Sequence, residues 1–182
     1  GLDVTISVAS SNTAEGDVST SLLTFTPANW DTAQTVTVSG ADDFVIDGDV
    51  GYTITTGNTS SSDADFDNLP VADVSVTNTD DDVAGITVSP TSGLTTTEAG
   101  GTATFALVLT AEPTDTVDIA LTSGDTSEGD MSPTSVTFTT GDWSTPQTVT
   151  VTGADDGLLD GDVGYTIVTA QATSNDGNYS VI

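Results

Sequence analysis

The chain repeats itself: residues 1–69 align with residues 114–182 without a gap, at an offset of 113. Of these 69 aligned pairs, 33 are identical, and Trp30 and Trp143 are among them. Repeats of domain length indicate an array of similar domains rather than a solenoid of small units. The 182 residues therefore hold one full period and most of a second one.

The linker "NTDDDVAGITV" at residues 78–88 is the expected boundary between repeats. Residues 1–84 would then form a β-sandwich repeat that lacks its first strands, and residues 85–182 one that lacks its last strand. Incomplete sandwiches expose sheet edges, so we expect a segment of a longer tandem array. Strands from neighbouring subunits are the alternative way to complete the two halves.

Short runs in which apolar residues alternate with Thr or Ser predict antiparallel strands. In one period the predicted strands are 86–90, 102–110, 116–123, 135–139, 147–153 and 163–169, with a seventh seen only in the first copy at 71–78. The residues expected to face inward are Phe105, Leu107, Leu109, Val117, Ile119, Leu121, Val136, Phe138, Val149, Val151, Val163, Tyr165 and Ile167. The tryptophans, at matching turns, are expected to cap the core. Seven strands per repeat predict an all-β chain of tandem Ig-like β-sandwiches.

The charge is one-sided, with 28 acidic residues, no Lys, Arg or His, and a formal net charge of −28. Of the acids, 24 are Asp, which favours turns and the ends of elements. Such a surface repels nucleic acid, and no run of 18 apolar residues exists, so we expect no nucleic-acid partner and no membrane insertion. Without His, Cys, Lys or Arg, the usual groups for acid–base or nucleophilic catalysis are missing, and we expect no enzyme.

Strand parity places most acidic loops at one end of each sandwich. If successive strands alternate in direction, the loops after the first, third and fifth strands share an end with the exit of the seventh. The acids in these loops are Glu98, Asp125, Glu128, Asp130, Asp155, Asp156, Asp160 and Asp162, with Asp80, Asp81 and Asp82 at the exit of the first copy. Carboxylates that converge in this way repel one another unless they are protonated, solvated or neutralised.

Oxygen ligands without His or Cys favour a hard cation, and flexible loops with many carboxylates suit Ca²⁺ better than Mg²⁺. We therefore predict that Ca²⁺ is the cofactor of these loops. The alternative is that the acids are simply solvated, as in a salt-adapted protein.

The order of four acidic motifs resembles that of the Calx-β domain. The motifs are Glu98 in "TTTEAGG", Asp130 in "EGDMSPTSVTF", the segment "DDGLLDGD", and the exit run DDD. Calx-β domains occur in sodium–calcium exchangers and in large secreted bacterial surface proteins, and they bind calcium at the distal end of a β-sandwich. The repeats are most similar to those of large secreted bacterial adhesins.

The resemblance implies two sets of calcium ligands. In the first copy these are Asp17, Asp42, Asp43, Asp47, Asp80, Asp81 and Asp82. In the second copy they are Glu98, Asp130, Asp155, Asp156 and Asp160. Asp49 and Asp162 would support these ligands, and Asp125 ranks lower because Asn12 stands at the matching position.

We therefore expect a structural or adhesive repeat segment of a long extracellular protein at the cell surface, in which Ca²⁺ makes the inter-domain junctions rigid. Its partners would be neighbouring repeats or identical subunits, together with a surface ligand. Two alternatives remain: a calcium-sensing regulatory module, and a surface filament whose subunits share strands.

Overall fold

The computed structural model describes residues 1–159 and 161–182, and each regular element in this range is a β-strand. The predicted all-β class is therefore confirmed. The chain divides into two compact units: unit 1 comprises Gly1–Asp43 and Asp47–Asp81, and unit 2 comprises Phe44–Ile46 and Asp82–Ile182. Within the described part of the chain, no helix has the length and apolar character needed to cross a bilayer.

Unit 1 contains the first seven strands of the described chain. They are β1 (Val4–Ser10), β2 (Gly16–Val18), β3 (Leu22–Phe25), β4 (Val38–Gly40), β5 (Val50–Thr56), β6 (Ser60–Ser61) and β7 (Val74–Asn78). One antiparallel sheet has the order β3-β1-β5-β7, with β6 also paired to β1, and the other sheet consists of β2 and β4.

Unit 2 contains the remaining strands of the described chain. They are β8 (Ile86–Ser89), β9 (Thr102–Leu109), β10 (Val117–Ser123), β11 (Gly129–Ser132), β12 (Ser135–Phe138), β13 (Gln147–Gly153) and β14 (Ile167–Thr169). They form a four-stranded sheet of order β11-β13-β9-β8 and a three-stranded sheet of order β12-β10-β14, both antiparallel. Their apolar faces share one core, as expected for a β-sandwich.

The core of unit 2 consists largely of the residues predicted to face inward. Buried members of that set are Phe105, Leu107, Leu109, Val117, Ile119, Leu121, Val136, Phe138, Val149 and Val151. The period-2 alternation of β10, "VDIALTS", places every second side chain on the inner face, with the burial pattern that this alternation predicts. Tyr165 and Ile167 are half-buried, and the prediction for Val163 is wrong, because that side chain is 42% exposed.

Two strand predictions need correction. The strand predicted at 163–169 begins only at Ile167, whereas its counterpart β5 in unit 1 is formed over the whole matching stretch. The reason is tertiary, since β5 is paired with β7 on its outer side. The short strand β11 was not predicted, because "GDMS" has no clear alternation; its pairing with β13 supplies the order instead.

Unit 1 has a much smaller buried core than unit 2. Its buried apolar side chains are Val8, Tyr52 and Ile54, with Val18, Leu23, Val36, Val38 and Val76 packed against them. Within the described residues of unit 1, no strand corresponds to β8 or β9. The tryptophans reflect this difference, since Trp143 packs against the core of unit 2 and Trp30 is 71% exposed.

A segment near the end of the chain closes one side of the core of unit 2. Asp176 is buried, and its carboxylate accepts hydrogen bonds from the backbone N–H groups of Thr114 and Asn178, both at 2.8 Å. Tyr179 is fully buried; its hydroxyl donates to the Ala111 carbonyl at 2.6 Å and accepts from the Ala111 N–H at 3.2 Å. Each of these buried polar groups is therefore satisfied, as stability requires.

We predict that Asp176→Ala destabilises unit 2 by about 1.5–3 kcal/mol, because it leaves two backbone donors without their charged acceptor. The matched control is Asp63→Ala, which changes the aligned position in unit 1, where the half-buried carboxylate accepts from the Asp65 N–H at 3.2 Å. That change should alter stability by less than about 0.5 kcal/mol. Urea unfolding curves of the two variants and the unsubstituted chain measure the difference. Equal effects would contradict this role for Asp176.

The same variant should show a defined pH dependence. Burial tends to raise the pKa of Asp176, but the N–H donors of Thr114 and Asn178 outweigh it and hold the pKa below its ordinary value. A carboxyl group whose pKa is depressed in the folded state stabilises that state at pH values above its unfolded pKa, which is near 3.8. This contribution is lost as the pH falls through the folded pKa. The gap in stability between the chain and Asp176→Ala should therefore be largest near neutral pH and shrink below about pH 4. A difference in stability between the two proteins that stays constant from pH 7 to pH 3 would refute this role of the Asp176 carboxylate.

Candidate cation site at the acidic loop ends

The exit of β7 is hydrogen-bonded to the acidic loop before β5. The Asp80 carboxylate accepts from the Gly48 N–H at 2.8 Å, and the Asp80 N–H donates to the Asp49 carboxylate at 3.2 Å. Gly48 has φ of 75°, a left-handed conformation that side chains with a Cβ rarely adopt, and Gly161 repeats it with φ of 81°. The structure thus brings one predicted ligand, Asp80, to the loop that carries Asp47.

A buried carboxylate lies beside this loop. Glu15 is 8% exposed, and the Asn78 amide donates both to its carboxylate at 3.3 Å and to the Ala41 carbonyl at 2.8 Å. The Ala41 N–H in turn donates to the Glu15 carbonyl at 2.9 Å. Glu15 was not among the predicted ligands, although "EGD" is identical in both repeats and could have identified it.

The glycine of "EGD" packs against the tyrosine that follows the acidic loop. A Cβ at Gly16 would overlap the hydroxyl of Tyr52, and a Cβ at Gly129 would overlap that of Tyr165. This close approach holds the "EGD" turn against the tyrosine side chain in both repeats. The identical spacing of these motifs therefore has a packing cause.

The other predicted ligands of the first copy lie mostly at exposed positions. Asp17 is exposed and its carboxylate accepts from the adjacent Val18 N–H at 2.8 Å. The remaining predicted ligands in unit 1 also have exposed side chains, namely Asp42, Asp43, Asp47 and Asp81. Asp82, which the structure assigns to unit 2, is half-buried.

Three acids of unit 2 line one groove of about 1120 Å³: Glu98, Glu128 and Asp162. Of these, Glu98 was predicted as a calcium ligand and Asp162 as a residue that supports the ligands. Glu128 was predicted only to lie at the acidic end of the sandwich. Tyr165 also lines the groove, and its hydroxyl forms a 2.8 Å hydrogen bond with that of Thr96. The groove therefore joins carboxylates to apolar and aromatic surface.

Three other predicted ligands of the second copy accept hydrogen bonds from backbone N–H groups one or two residues away. Met131 N–H donates to Asp130, Gly157 N–H to Asp155 and Leu158 N–H to Asp156, at 2.8, 3.1 and 2.8 Å. Asp125 is held similarly, since the hydroxyl and N–H of Ser127 keep its pKa below the ordinary value. Asp160 lies outside the described residues.

Within residues 1–159 and 161–182, no three acidic side chains form a group that could hold a metal ion as they stand. The donors are nevertheless of the kind that Ca²⁺ selects, namely carboxylate and carbonyl oxygens on loops. Protein-family models give no match to this chain, and a search of curated proteins finds no significant relative. The Calx-β resemblance therefore stays a prediction.

We predict that Asp80→Ala releases the acidic loop of unit 1. The Gly48 N–H loses its charged acceptor, and a hydrogen bond of this kind contributes about 1.5 kcal/mol, so exchange of the Gly48 amide should accelerate about tenfold. Amide hydrogen exchange read by NMR measures this effect. The control is Asp31→Ala, an exposed position in the turn after Trp30, which should leave Gly48 unchanged. Equal exchange at Gly48 in both variants would show that Asp80 does not hold the loop.

Proposed function

We propose that this chain is a structural or adhesive segment of an extracellular surface protein, built from β-sandwich repeats whose acidic ends bind Ca²⁺. The observation that carries the proposal is the pair of hydrogen bonds between Asp80 and residues Gly48 and Asp49. They join the exit of one repeat to an acidic loop in a chain with no cationic side chain. A cation is the remaining means of neutralising these carboxylates at neutral pH.

In unit 1, Asp80 and Asp47 would hold the ion with the neighbouring carboxylates of Asp42 and Asp43. Ca²⁺ would supply charge neutralisation and cross-linking of the loop to the exit segment. Since no three acids already converge among the described residues, the loop would have to close on the ion. Flexible oxygen-rich loops of this type suit the six to eight ligands of Ca²⁺.

The mechanical consequence concerns the linker at residues 78–88, which contains Asp80. Binding energy for the ion adds to the stability of the state in which the exit segment is held. Removal of Ca²⁺ would restore the repulsion among the acids and loosen that segment. A role as a spacer that Ca²⁺ stiffens follows from this coupling.

Thermal melting with and without Ca²⁺ tests the proposal. When the Ca²⁺ concentration is 100 times Kd, one site should add about 2.7 kcal/mol to the free energy of unfolding. For a domain of roughly 100 residues this corresponds to a rise in Tm of about 10–20 °C. Equal ionic strength supplied by Na⁺ or Mg²⁺ controls for general screening of the charge of −28. Calorimetry on the same samples gives the number of ions.

The variant Asp80→Asn should lose the part of the Ca²⁺ effect that belongs to unit 1, whereas Asp31→Asn removes one charge elsewhere and should retain it. If chelation at moderate salt leaves the melting temperature unchanged, the calcium proposal is wrong and the acids are solvated loops. A rise produced equally by Na⁺ would lead to the same conclusion.

A further inference from the structure

Aspartate is followed directly by glycine at four places in the chain. Three of these pairs lie wholly within the described residues, namely Asp47–Gly48, Asp156–Gly157 and Asp176–Gly177. An aspartate before glycine is the kind most readily converted to isoaspartate, because glycine has no side chain to shield its backbone nitrogen. The three pairs have different surroundings, so their reactivity should differ.

The reaction is a rearrangement of the main chain. The glycine nitrogen attacks the side-chain carboxyl carbon of the preceding aspartate, an N–C bond forms, and the amide proton leaves with the carboxyl hydroxyl as water. The product is a succinimide ring. Water then opens the ring at the main-chain carbonyl, so that the chain runs through Cβ and the free carboxylate is attached to Cα. The water released in the first step is taken up again in the second, and no oxidant, reductant or cofactor is consumed.

Ring closure requires movement of the backbone. The glycine peptide has to turn until its nitrogen faces the carboxyl carbon, and the carboxyl group has to leave its hydrogen-bond donors. The rate therefore depends on how easily the segment opens locally. Hydrogen bonds from the pair to distant parts of the fold oppose this opening.

The carboxylate holds the Asp176–Gly177 pair in place. Asp176 is buried, and its two oxygens accept from the N–H groups of Thr114 and Asn178, each at 2.8 Å. Thr114 is 62 residues away in sequence. Rotation of the carboxyl group toward Gly177 would break this long-range bond and leave a buried donor without its acceptor.

The glycine holds the Asp47–Gly48 pair in place. Asp47 is exposed, but the Gly48 N–H donates to the Asp80 carboxylate at 2.8 Å, 32 residues away in sequence. Asp80 follows β7, which is paired with β5. Turning the Gly48 peptide would therefore detach the acidic loop from the exit of β7.

In the described part of the chain, the hydrogen bonds of the Asp156–Gly157 pair are local. The exposed Asp156 accepts from the Leu158 N–H at 2.8 Å, and the Gly157 N–H donates to Asp155 at 3.1 Å. These partners belong to the same loop and move with it. Gly157 and Gly48 have nearly equal φ, 74° and 75°, and a Cβ at either would meet nothing within 4 Å. The two glycines therefore match in conformation and openness but differ in what holds their N–H groups.

We propose that Asp156 is a site of spontaneous isoaspartate formation, through a succinimide with Gly157, and that long-range hydrogen bonds protect the pairs at Asp47 and Asp176. Isoaspartate adds a methylene group to the main chain of the acidic loop and shortens the stem of the carboxylate. The change accumulates with the age of the molecule. Under the proposed calcium function, on which this consequence rests, it alters one ligand of the second copy and leaves those of the first intact.

The test is ageing of the full 182-residue chain at neutral pH with a chelator present. Chymotryptic peptides 45–52, 144–165 and 166–179 separate the three pairs, and electron-activated fragmentation in the mass spectrometer locates isoaspartate within each peptide. Isoaspartate should form at Asp156 at least about tenfold faster than at Asp47 or Asp176, since those pairs have to break a further hydrogen bond to a charged group. Similar rates at Asp47 and Asp156, or no product at Asp156, would overturn the proposal.

Two variants test the protection of Asp47. Asp80→Ala removes the acceptor of the Gly48 N–H and should raise the rate at Asp47 about tenfold, with the rate at Asp156 unchanged. Asp31→Ala removes an exposed carboxylate elsewhere and should change neither rate. If Asp80→Ala leaves the rate at Asp47 as it is, long-range hydrogen bonds do not decide which pair reacts, and the proposal is wrong.

Ageing with excess Ca²⁺ separates this inference from the calcium function. A bound ion would keep the Asp156 carboxylate from closing the ring, so isomerisation should be slower than with the chelator. Failure of Asp156 to isomerise with the chelator overturns the modification whatever Ca²⁺ does. Isomerisation at the same rate with and without Ca²⁺ leaves the modification supported and contradicts Asp156 as a calcium ligand.

Discussion

The pairing of β9 with β13 is the contact on which the core of unit 2 depends. Six consecutive residue pairs, Thr102–Leu107 against Gln147–Thr152, align the apolar side chains of both strands on one face. Phe105, Leu107, Val149 and Val151 are buried by it. In unit 1 the stretch aligned with β13 has no such partner, and only Val38–Gly40 forms a strand. Nearly identical sequences therefore differ in order because of tertiary pairing rather than local propensity.

Because the chain has no cationic side chain, its carboxylates form hydrogen bonds with uncharged donors instead of salt bridges. Described carboxylates are held by N–H, hydroxyl and amide donors, as at Asp176, Asp125 and Glu15. The Asn175 amide, for example, keeps the pKa of Asp115 below its ordinary value. Such bonds fix the turns locally but leave the net charge intact. Only mobile ions or bound cations can offset that charge.

The sequence predicted the parts of the fold that follow from alternation. Leu107, Ile119 and Val149 are in the core because period-2 patterning specifies the face of a strand. Val163 and the short β11 were mispredicted because their state depends on which strand lies beside them. For the candidate site, the sequence predicted that Asp80 and the loop before β5 lie at the same end of the sandwich. The exact partners were not predictable, since the Gly48 N–H that Asp80 accepts from lies 32 residues away in sequence and is brought there by the pairing of β7 with β5.

Strand completion and charge are coupled at the acidic end of unit 1. Asp80 reaches the Gly48 N–H because β7 pairs with β5 in a register that places Asn78 opposite Val50. Asn78 then contacts Glu15, so the exit segment, the "EGD" turn and the acidic loop form one hydrogen-bonded group. Whatever stabilises Asp80 in this position also stabilises β7 on its sheet, and the reverse holds by linkage. A cation bound at the loop would therefore act on the edge of the sandwich as well as on the linker that follows it.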